Sequence, residues 1–382
     1  MGESYTQPIV LDNGSGTIRC GFAGDDTPRV NYSNVLGRPK YKKVQCLPSD
    51  ISEDDTFVGS QAQLKRGFLK LSYPIEHGTI EDWRTMELIW DQVFNHDLSN
   101  AGSKTEISLN DHSLLITEHP FTQRKQREKM CEILFETFGF SSLNIGMPSI
   151  LSLYATGRTT GVSLDVGDGV CCISPIYDGF ALPGSIKRMD LAGRDMTRQL
   201  QLEIMKNGYT MNSSSEFEIV RNMKERMCRV CSSKLDIRVP LDNENESFKL
   251  PDGKFLDIPS SSLSRPCELM FQPELFGIEG MGVHELLYNS IMRTDVDLRG
   301  EFFETIVLSG GSTMFKGFGS RMIKELRGLD NEIKIKLFAS PERRNNCFIG
   351  ASILSNLSTF NRMVVSRKQF QEDPDCVFDK YY

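Results

Sequence analysis

Two segments of the chain carry the residue types that hold phosphate groups, an aspartate followed closely by glycines. They are residues 9–16 (IVLDNGSG) and 162–169 (VSLDVGDG), and a second short apolar run follows each. An apolar run, a glycine-rich tip and a second run are the pattern of a β-hairpin. Asp12 and Asp165 hold the same position in the two segments. The sequence therefore predicts a duplicated architecture in which each half begins with the same hairpin.

The chemistry of such tips is the binding of phosphate oxygens by consecutive backbone N–H groups. Glycine permits the positive φ angles and the close approach that this requires. Two tips that face each other could hold a triphosphate from both sides, with Ser15 and Arg19 adding a hydroxyl and a positive charge. Asp12 and Asp165 would lie near the phosphates only with a cation between them, and Mg²⁺ held largely through water fits. A third glycine turn, residues 309–313 (SGGST), follows the apolar run 306–308.

Composition excludes several classes of protein. The 382 residues favour two domains, and a net charge of −7 disfavours a protein that binds nucleic acid. No apolar run is long enough to insert into a membrane, and a P-loop sequence is absent. Ten cysteines without framework spacing indicate a reducing cytosol. We interpret Cys228 and Cys231, which have C-x-x-C spacing, as thiols at or near a helix end, since no second pair completes a zinc site.

Periodicity predicts the elements that would position the tips. Apolar residues recur at helical spacing over 85–97, 124–138 and 216–230, and Pro148 begins another helical stretch that reaches Tyr154. Buried strands are predicted at 114–116 and 306–308, and alternating strands over 235–258 are broken by a turn at 251–253. Residues 347–354 predict a helix of small residues that allows close packing. No long linker separates the two halves, so we expect interleaved or tightly hinged domains.

Longer stretches identify the family that the chain resembles. Residues 73–78 (YPIEHG), 151–161 (LSLYATGRTTG), 191–195 (LAGRD) and 250–253 (LPDG) are similar to actin sequence, and the resemblance covers essentially the whole chain. It implies an α/β, actin-like ATPase fold of two duplicated α/β domains, each with a small subdomain, around a nucleotide cleft. The implied outer domain is 1–156 with 346–382 and an inserted subdomain at about 35–73. The implied inner domain is 157–345 with a subdomain at about 192–278.

The resemblance also implies ATP or ADP with Mg²⁺ as cofactors, and Asp12 and Asp165 as the residues that hold the metal through water. The cofactor-binding residues that it implies are Asp12, Gly14, Ser15, Gly16, Arg19, Asp165, Gly167, Asp168, Gly169, Val170, Gly193, Arg221, Lys224, Glu225, Gly310, Gly311, Phe315 and Arg344. Arg19 replaces the lysine of the family and keeps the positive charge, with a different geometry. Phe315 replaces a tyrosine, which keeps a stacking face and loses the hydroxyl.

Two departures from the family concern the water that attacks the γ-phosphate when ATP is hydrolysed. Pro148 and Cys172 stand where actins have the glutamine and the histidine that order this water. Proline has no side-chain donor or acceptor, and a thiol is a weak one. Loss of a positioned proton-transfer group costs roughly 10²- to 10⁴-fold in rate. We therefore expect a nucleotide-binding structural protein with at most slow ATPase activity and no assigned catalytic residue. The alternative is that Pro148 only starts a helix and another group, such as Ser149, compensates.

Two surface segments suggest assembly into a filament. Residues 40–55 correspond to the actin loop that enters the next subunit, although a solvated loop is an alternative. Residues 273–281 resemble the apolar loop that faces the opposite strand, and they carry Leu275, Phe276, Ile278 and Met281. Such patches usually mark contacts, and head-to-tail contacts generate filaments.

Within the actin family, residues 213–220 and 309–319 resemble the actin-related protein of the dynactin filament, and the resemblance implies a divergent form of it. The implied partners are further copies of the chain, other dynactin subunits including capping protein and the pointed-end actin-related protein, dynein and cargo adaptors. The implied location is the cytoplasm, the cytoskeleton and the centrosome or spindle pole. Conventional actin, a small-molecule kinase of the same superfamily and a chromatin-complex actin-related protein are the alternatives. Conventional actin is disfavoured because the acidic N-terminal cluster is missing. The kinase is disfavoured because no carboxylate base is identified, and the chromatin-complex protein because no large insertion is evident.

Overall fold

Short strands with buried aliphatic side chains form the framework of the protein. The computed structural model describes residues 6–40, 51–99, 108–232 and 245–379. In chain order its strands are β1 (Ile9–Asn13), β2 (Thr17–Phe22), β3 (Val30–Ser33), β4 (Leu36–Pro39), β5 (Phe57–Val58), β6 (Leu69–Ser72), β7 (Ile75–Glu76), β8 (Thr79–Ile80), β9 (Ser113–Thr117), β10 (Ser142–Gly146), β11 (Gly161–Val166), β12 (Cys171–Tyr177), β13 (Phe180–Ala181), β14 (Lys187–Met189), β15 (Asn245–Lys249), β16 (Phe255–Pro259), β17 (Ile306–Ser309), β18 (Leu337–Phe338) and β19 (Val365–Ser366).

Two larger sheets repeat one arrangement. The first has the order β19-β10-β9-β1-β2-β3, and the second has the order β13-β12-β11-β17-β18, with β14 also paired to β12. In each, an antiparallel hairpin (β1–β2 or β11–β12) lies beside a later strand that runs parallel to its first strand. The predicted duplication and the α/β fold are confirmed. A smaller sheet, β5-β4-β6, and the hairpins β7–β8 and β15–β16 are separate from these two sheets.

Helices pack on these sheets. The α-helices are Gly59–Leu64, Trp83–Asp91, Arg124–Glu132, Pro148–Tyr154, Gly193–Lys206, Ser214–Met227, Ser260–Phe271, Val283–Met292, Val296–Glu304, Phe318–Leu329, Asn346–Ser355, Arg367–Glu372 and Cys376–Asp379. Two predicted helices are wrong in detail, because Gln92–Asp97 and Ile133–Thr137 continue the preceding helices as π-helix. The helix predicted over 216–230 ends at Met227, so Cys228 follows the helix and is not part of it.

Each larger sheet has its own hydrophobic core. One cluster joins β1, β2 and β9 to the aromatic side chains of 83–94 and 135–140, and the other joins β11, β12 and β17 to helices between 193 and 326. Helix Asn346–Ser355 packs so closely on helix Pro148–Tyr154 that a Cβ at Gly350 would lie 1.7 Å from the Leu151 carbonyl oxygen. The predicted close packing is confirmed, and the domain boundaries stay a prediction.

Three predicted features lie wholly or partly outside the described residues. They are the middle of the 40–55 loop, the start of the 235–258 strand region, and the first residues of the chain. Among the described residues, no helix combines the length and apolar character needed to cross a membrane.

Candidate functional site

The two glycine tips face each other across a cavity of about 490 Å³. A Cβ at Gly16 would lie 2.6 Å from the Asp168 Cβ, and one at Gly169 would lie 2.5 Å from the Ser15 hydroxyl oxygen. Only glycine permits this approach, because any side chain would fill the space between the tips. The two tips therefore pack against each other through glycine and both line the cavity.

The carboxylates at the strand ends lie on the floor of this cavity. The Arg19 Nη1 atom donates to Asp12 Oδ2 at 2.7 Å, and the Thr117 hydroxyl donates to Asp12 Oδ1 at 3.1 Å. Burial, together with the neighbouring Asp12 carboxylate, raises the pKa of Asp165 to about 7. Two neighbouring buried carboxylates suit a divalent cation, which would remove the repulsion between their charges. The residues present therefore fit a hydrated Mg²⁺.

Basic side chains surround the second tip. Burial alone would raise the pKa of Asp168, but the charges of Lys224 and Arg194 hold it below its usual range. Arg194 also donates to the backbone carbonyls of Ser15 and Ile75 and to the Glu76 carboxylate, so it joins the two tips. The sequence analysis missed Arg194, although the family-like segment 191–195 contains it.

The third glycine turn closes the cavity on the far side. Gly310 has a φ of +85°, and a Cβ there would lie 2.3 Å from the Val166 carbonyl oxygen. Both the positive φ angle and the close approach of the Val166 carbonyl require glycine at this position. Ser312 donates to the Gly167 carbonyl at 2.7 Å, which ties the third turn to the second tip.

All but one of the predicted cofactor-binding residues line the same cavity, as does Pro148. Gly193 lies directly behind the wall, where its carbonyl accepts a hydrogen bond from Lys224 Nζ at 2.6 Å. The lining residues from the prediction are Asp12, Gly14, Ser15, Gly16, Arg19, Asp165, Gly167, Asp168, Gly169, Val170, Arg221, Lys224, Glu225, Gly310, Gly311, Phe315 and Arg344. Side chains that the sequence analysis did not select also line it, among them Thr117, His119 and Cys347.

Cys172, which stands where the family has histidine, and Ser149, the proposed compensating group, are not among the described residues that line the cavity. The Ser174 hydroxyl donates to Ser149 Oγ at 3.0 Å and lies 3.5 Å from the Cys172 sulfur. These three buried groups therefore hydrogen-bond to one another, and none of them lines the cavity.

Hydrogen bonds join the small sheet β5-β4-β6 and the neighbouring helix Gly59–Leu64 to helix Ser214–Met227, whose Arg221 and Lys224 line the cavity. The Gln63 amide donates to Glu218 Oε2 at 2.6 Å, and the Tyr73 hydroxyl donates to the same carboxylate. The Leu71 N–H donates to Ser214 Oγ at 3.1 Å. We call Gln63, Leu71, Tyr73, Ser214 and Glu218 the cross-cleft contacts.

The predicted assembly loop stands on the surface. Leu275, Ile278 and Met281 are 49%, 37% and 51% exposed, while Phe276 packs against the core of the second sheet. Gly277 turns the chain with a φ of +74°. The loop therefore presents three apolar side chains on a rigid base.

Comparison with known proteins agrees with this architecture. The family model for actin matches residues 3–381. The chain belongs to the actin family. It is similar to the actin-like protein of Neurospora crassa, with 43% identity over 99% of this chain and 98% of the relative. It is also similar to the centractin of Saccharomyces cerevisiae, with 44% identity over 98% of this chain and 96% of the relative.

This actin-family chain is an actin-related cytoskeletal protein, and the resemblance found in the sequence is confirmed. The family binds nucleotide with a divalent cation, which agrees with the glycine tips, the paired carboxylates and the surrounding basic side chains.

Proposed function

We propose that this protein binds ATP and assembles into a short actin-like filament, the backbone of dynactin. In this role it supports dynein-driven transport along microtubules and the positioning of spindles and nuclei. The observation that carries the proposal is the 44% identity to yeast centractin over nearly the full length of both chains. A similarity of that extent leaves no room for the large insertions expected of chromatin-complex relatives.

The nucleotide is bound between two domains, residues 1–156 with 346–382 and residues 157–345. Arg19, Lys224 and the glycine tips would hold its phosphates, and Asp12 and Asp165 would hold Mg²⁺ through water. The cation would neutralise the phosphate charge between these carboxylates. Separate cores on the two sheets and the cross-cleft contacts support a hinged pair of domains that the nucleotide closes.

Nucleotide serves mainly to hold the domains together, and hydrolysis is slow. Pro148 lines the cavity and offers no hydrogen-bonding group there. Cys172 and Ser149 bond to Ser174 behind the wall, which disfavours both as water-ordering groups. The protein is thus a nucleotide-binding structural protein with at most slow ATPase activity.

The filament forms through head-to-tail contacts that include the apolar loop at 273–281. Leu275, Ile278 and Met281 are exposed in the single chain and would be buried against a neighbouring subunit. The other partners are dynactin subunits, including capping protein and the pointed-end actin-related protein, together with dynein and cargo adaptors. The site of action is the cytoplasm and its cytoskeleton, at the centrosome or spindle pole.

Two measurements test the proposal. A tagged chain expressed in its own cells should co-purify with dynactin subunits in stoichiometric amounts, and a lack of any dynactin subunit would overturn the dynactin role. The purified chain should assemble into short filaments, and denaturing them should release mainly ATP, with ADP appearing only slowly over hours. Prompt conversion to ADP during assembly would instead favour the alternative, a conventional actin whose assembly is coupled to hydrolysis.

A further inference from the structure

His119 stands in the wall between two cavities. It follows β9 and lines both the 490 Å³ cavity and a small cavity of about 30 Å³ on its other side. Its side chain is partly exposed. A Cβ at Gly78 would lie 3.1 Å from His119 Cδ2 and 2.8 Å from the Val170 side chain, so the ring lies beside the second tip. The Gly78 N–H also donates to Ser15 Oγ at 3.2 Å, so Gly78 contacts the first tip as well.

The backbone on either side of His119 is fixed. Thr122 Oγ1 donates to the His119 carbonyl at 2.8 Å. Arg188 donates to the Pro120 carbonyl at 3.0 Å and to the His77 carbonyl at 2.7 Å. The chain then reverses at Phe121, which has a φ of +63°. The Glu118 N–H donates to the Gly146 carbonyl at 3.0 Å, so hydrogen bonds hold the backbone on both sides of His119.

The small cavity contains two unpartnered polar atoms. His119 Nδ1 and Gln126 Oε1 are both buried, and neither has a hydrogen-bond partner among the described residues. Both residues line this cavity, together with Thr79 and Thr122. A cavity of about this volume holds one water when two or more polar groups surround it. One water that accepts from Nδ1 and donates to the Gln126 amide oxygen satisfies both atoms.

A bridging water of this kind fixes the state of the ring. With the proton on Nδ1, Nε2 carries a free lone pair. Burial and the Arg188 charge lower the pKa of His119 to about 4, against the opposing effect of Asp12 and Asp190. The ring is therefore neutral at neutral pH, and its Nε2 can accept a hydrogen bond. Unlike Nδ1, Nε2 is not among the buried atoms that lack a partner in the described chain, which agrees with its facing the larger cavity.

We propose that His119 Nε2 accepts a hydrogen bond from the water that attacks the γ-phosphate, in place of the groups absent at Pro148 and Cys172. This inference rests on the proposed binding of ATP in the larger cavity. In the reaction, the water oxygen bonds to the γ-phosphorus while the bond from that phosphorus to the β–γ bridging oxygen breaks. Both protons of the water leave with the released phosphate as dihydrogen phosphate, the bond electrons stay on ADP, and the histidine is unchanged. The slow hydrolysis of the proposed function proceeds through this residue.

Conversion of bound ATP within filaments tests the proposal. The full chain, His119→Ala, His119→Gln and the control His96→Ala are each loaded with ATP, assembled and sampled over hours for total nucleotide and ADP. We expect slow conversion in the parent and the control, at least a tenfold loss in His119→Ala, and partial recovery in His119→Gln. His96 is exposed on the π-helix Gln92–Asp97 and serves as the matched histidine.

The outcomes separate this inference from the proposed function. Bound nucleotide with equal conversion in the parent and His119→Ala overturns the role of His119 alone. Bound nucleotide without any conversion in the parent overturns it as well. A chain without bound nucleotide overturns the proposed function together with this inference.

Nitrogen NMR of the histidine-labelled chain gives a readout besides turnover. The His119 signal, assigned by its loss in His119→Gln, should report a neutral ring protonated on Nδ1. Gln126→Leu should shift that signal, because the bridging water loses its acceptor. The Nε2 signal should also shift when ADP with aluminium fluoride replaces ADP. A ring protonated on Nε2 in the parent chain would overturn the proposal.

Discussion

Asp12 and Arg19 are direct partners across the first hairpin, and their side chains form a buried ion pair of 2.7 Å. In the second hairpin the corresponding partners are Asp165 and Cys172. The duplicated framework therefore carries a charge pair in one half and an uncharged thiol beside the carboxylate in the other. Asp165 therefore has no cation as its direct partner across the hairpin, and burial together with the Asp12 charge raises its pKa to about 7 against the opposing effect of Arg19.

Replacement of Arg19 by methionine should weaken ATP binding by roughly 10- to 100-fold. Hydrogen bonds to charged groups contribute about 1.5–3 kcal/mol, and the change also leaves Asp12 buried without its cation. Arg19→Lys should bind ATP within about tenfold of the parent, because it keeps the charge. Displacement of a fluorescent ATP analogue measures the affinities. Arg29→Met, which removes an exposed pair with Asp25, is the control, and equal affinities for both methionine variants would contradict the prediction.

Separation of the two domains should speed nucleotide exchange. Glu218→Ala removes the acceptor of Gln63 and Tyr73 and one partner of Arg221, so the cavity mouth loses most of its cross-cleft contacts. We expect release of a fluorescent ATP analogue to be about tenfold faster, since a lost hydrogen bond to a charged group costs about 1.5–3 kcal/mol. Glu301→Ala, an exposed glutamate on the helix Val296–Glu304, is the control. An unchanged release rate in Glu218→Ala would show that these contacts do not close the mouth.

The apolar loop at 273–281 should be essential for filament assembly but should not affect the affinity for ATP. Leu275→Asp places a charge on a side chain that is 49% exposed in the single chain, so the fold tolerates it. In a filament the same charge would be buried without a partner, at a cost of several kcal/mol. Sedimentation should show a critical concentration raised at least tenfold with ATP affinity unchanged. Leu88→Asp, on the helix Trp83–Asp91, is the control, and normal assembly of Leu275→Asp would exclude the loop from the contacts.

Much of this architecture could be predicted because the informative residues are local in sequence. The hairpins at Asp12 and Asp165, the strand at 306–309 and the helix that begins at Pro148 follow from short apolar runs, glycine and proline. The π-helical continuations at 92–97 and 133–137 could not be predicted, because each spans only about one turn, which is too short for the apolar spacing to distinguish it from α-helix.

His119 and Arg194 could not be selected from sequence for a different reason. Segment 191–195 marks Arg194 as family-like but not its role, and no motif contains His119; the role of each depends on which atoms lie around it after folding. Arg194 reaches three carbonyl and carboxylate partners on segments more than a hundred residues away. His119 becomes notable only because two cavities and an unpartnered Gln126 amide flank it.

Acid should destabilise the protein partly through His119. The pKa of this residue is about 4 in the folded chain, below the ordinary value of about 6.5 expected after unfolding. Between these values the unfolded chain binds more protons, so the free energy of unfolding falls as pH drops from about 6.5 to 4. Urea unfolding at saturating nucleotide measures the free energy of unfolding at pH 6.5 and at pH 4. Between these two pH values, His119→Gln should lose about 2–3 kcal/mol less of this free energy than the parent. Equal losses would mean that the ring is not buried as a neutral group.

Restoring an amide at the cavity wall should accelerate hydrolysis. Pro148 lines the cavity as the first residue of the helix Pro148–Tyr154, so the side chain of Pro148→Gln would extend toward the same space that His119 faces. An amide there can donate to and accept from the attacking water, and such positioning is worth roughly 10²-fold or more in rate. Pro148→Ala is the matched control, because it removes the ring without adding a polar group. The ADP fraction of freshly assembled filaments should rise at least tenfold faster in Pro148→Gln than in Pro148→Ala. Equal rates in the two variants would mean that His119 already supplies all the orientation that the water needs.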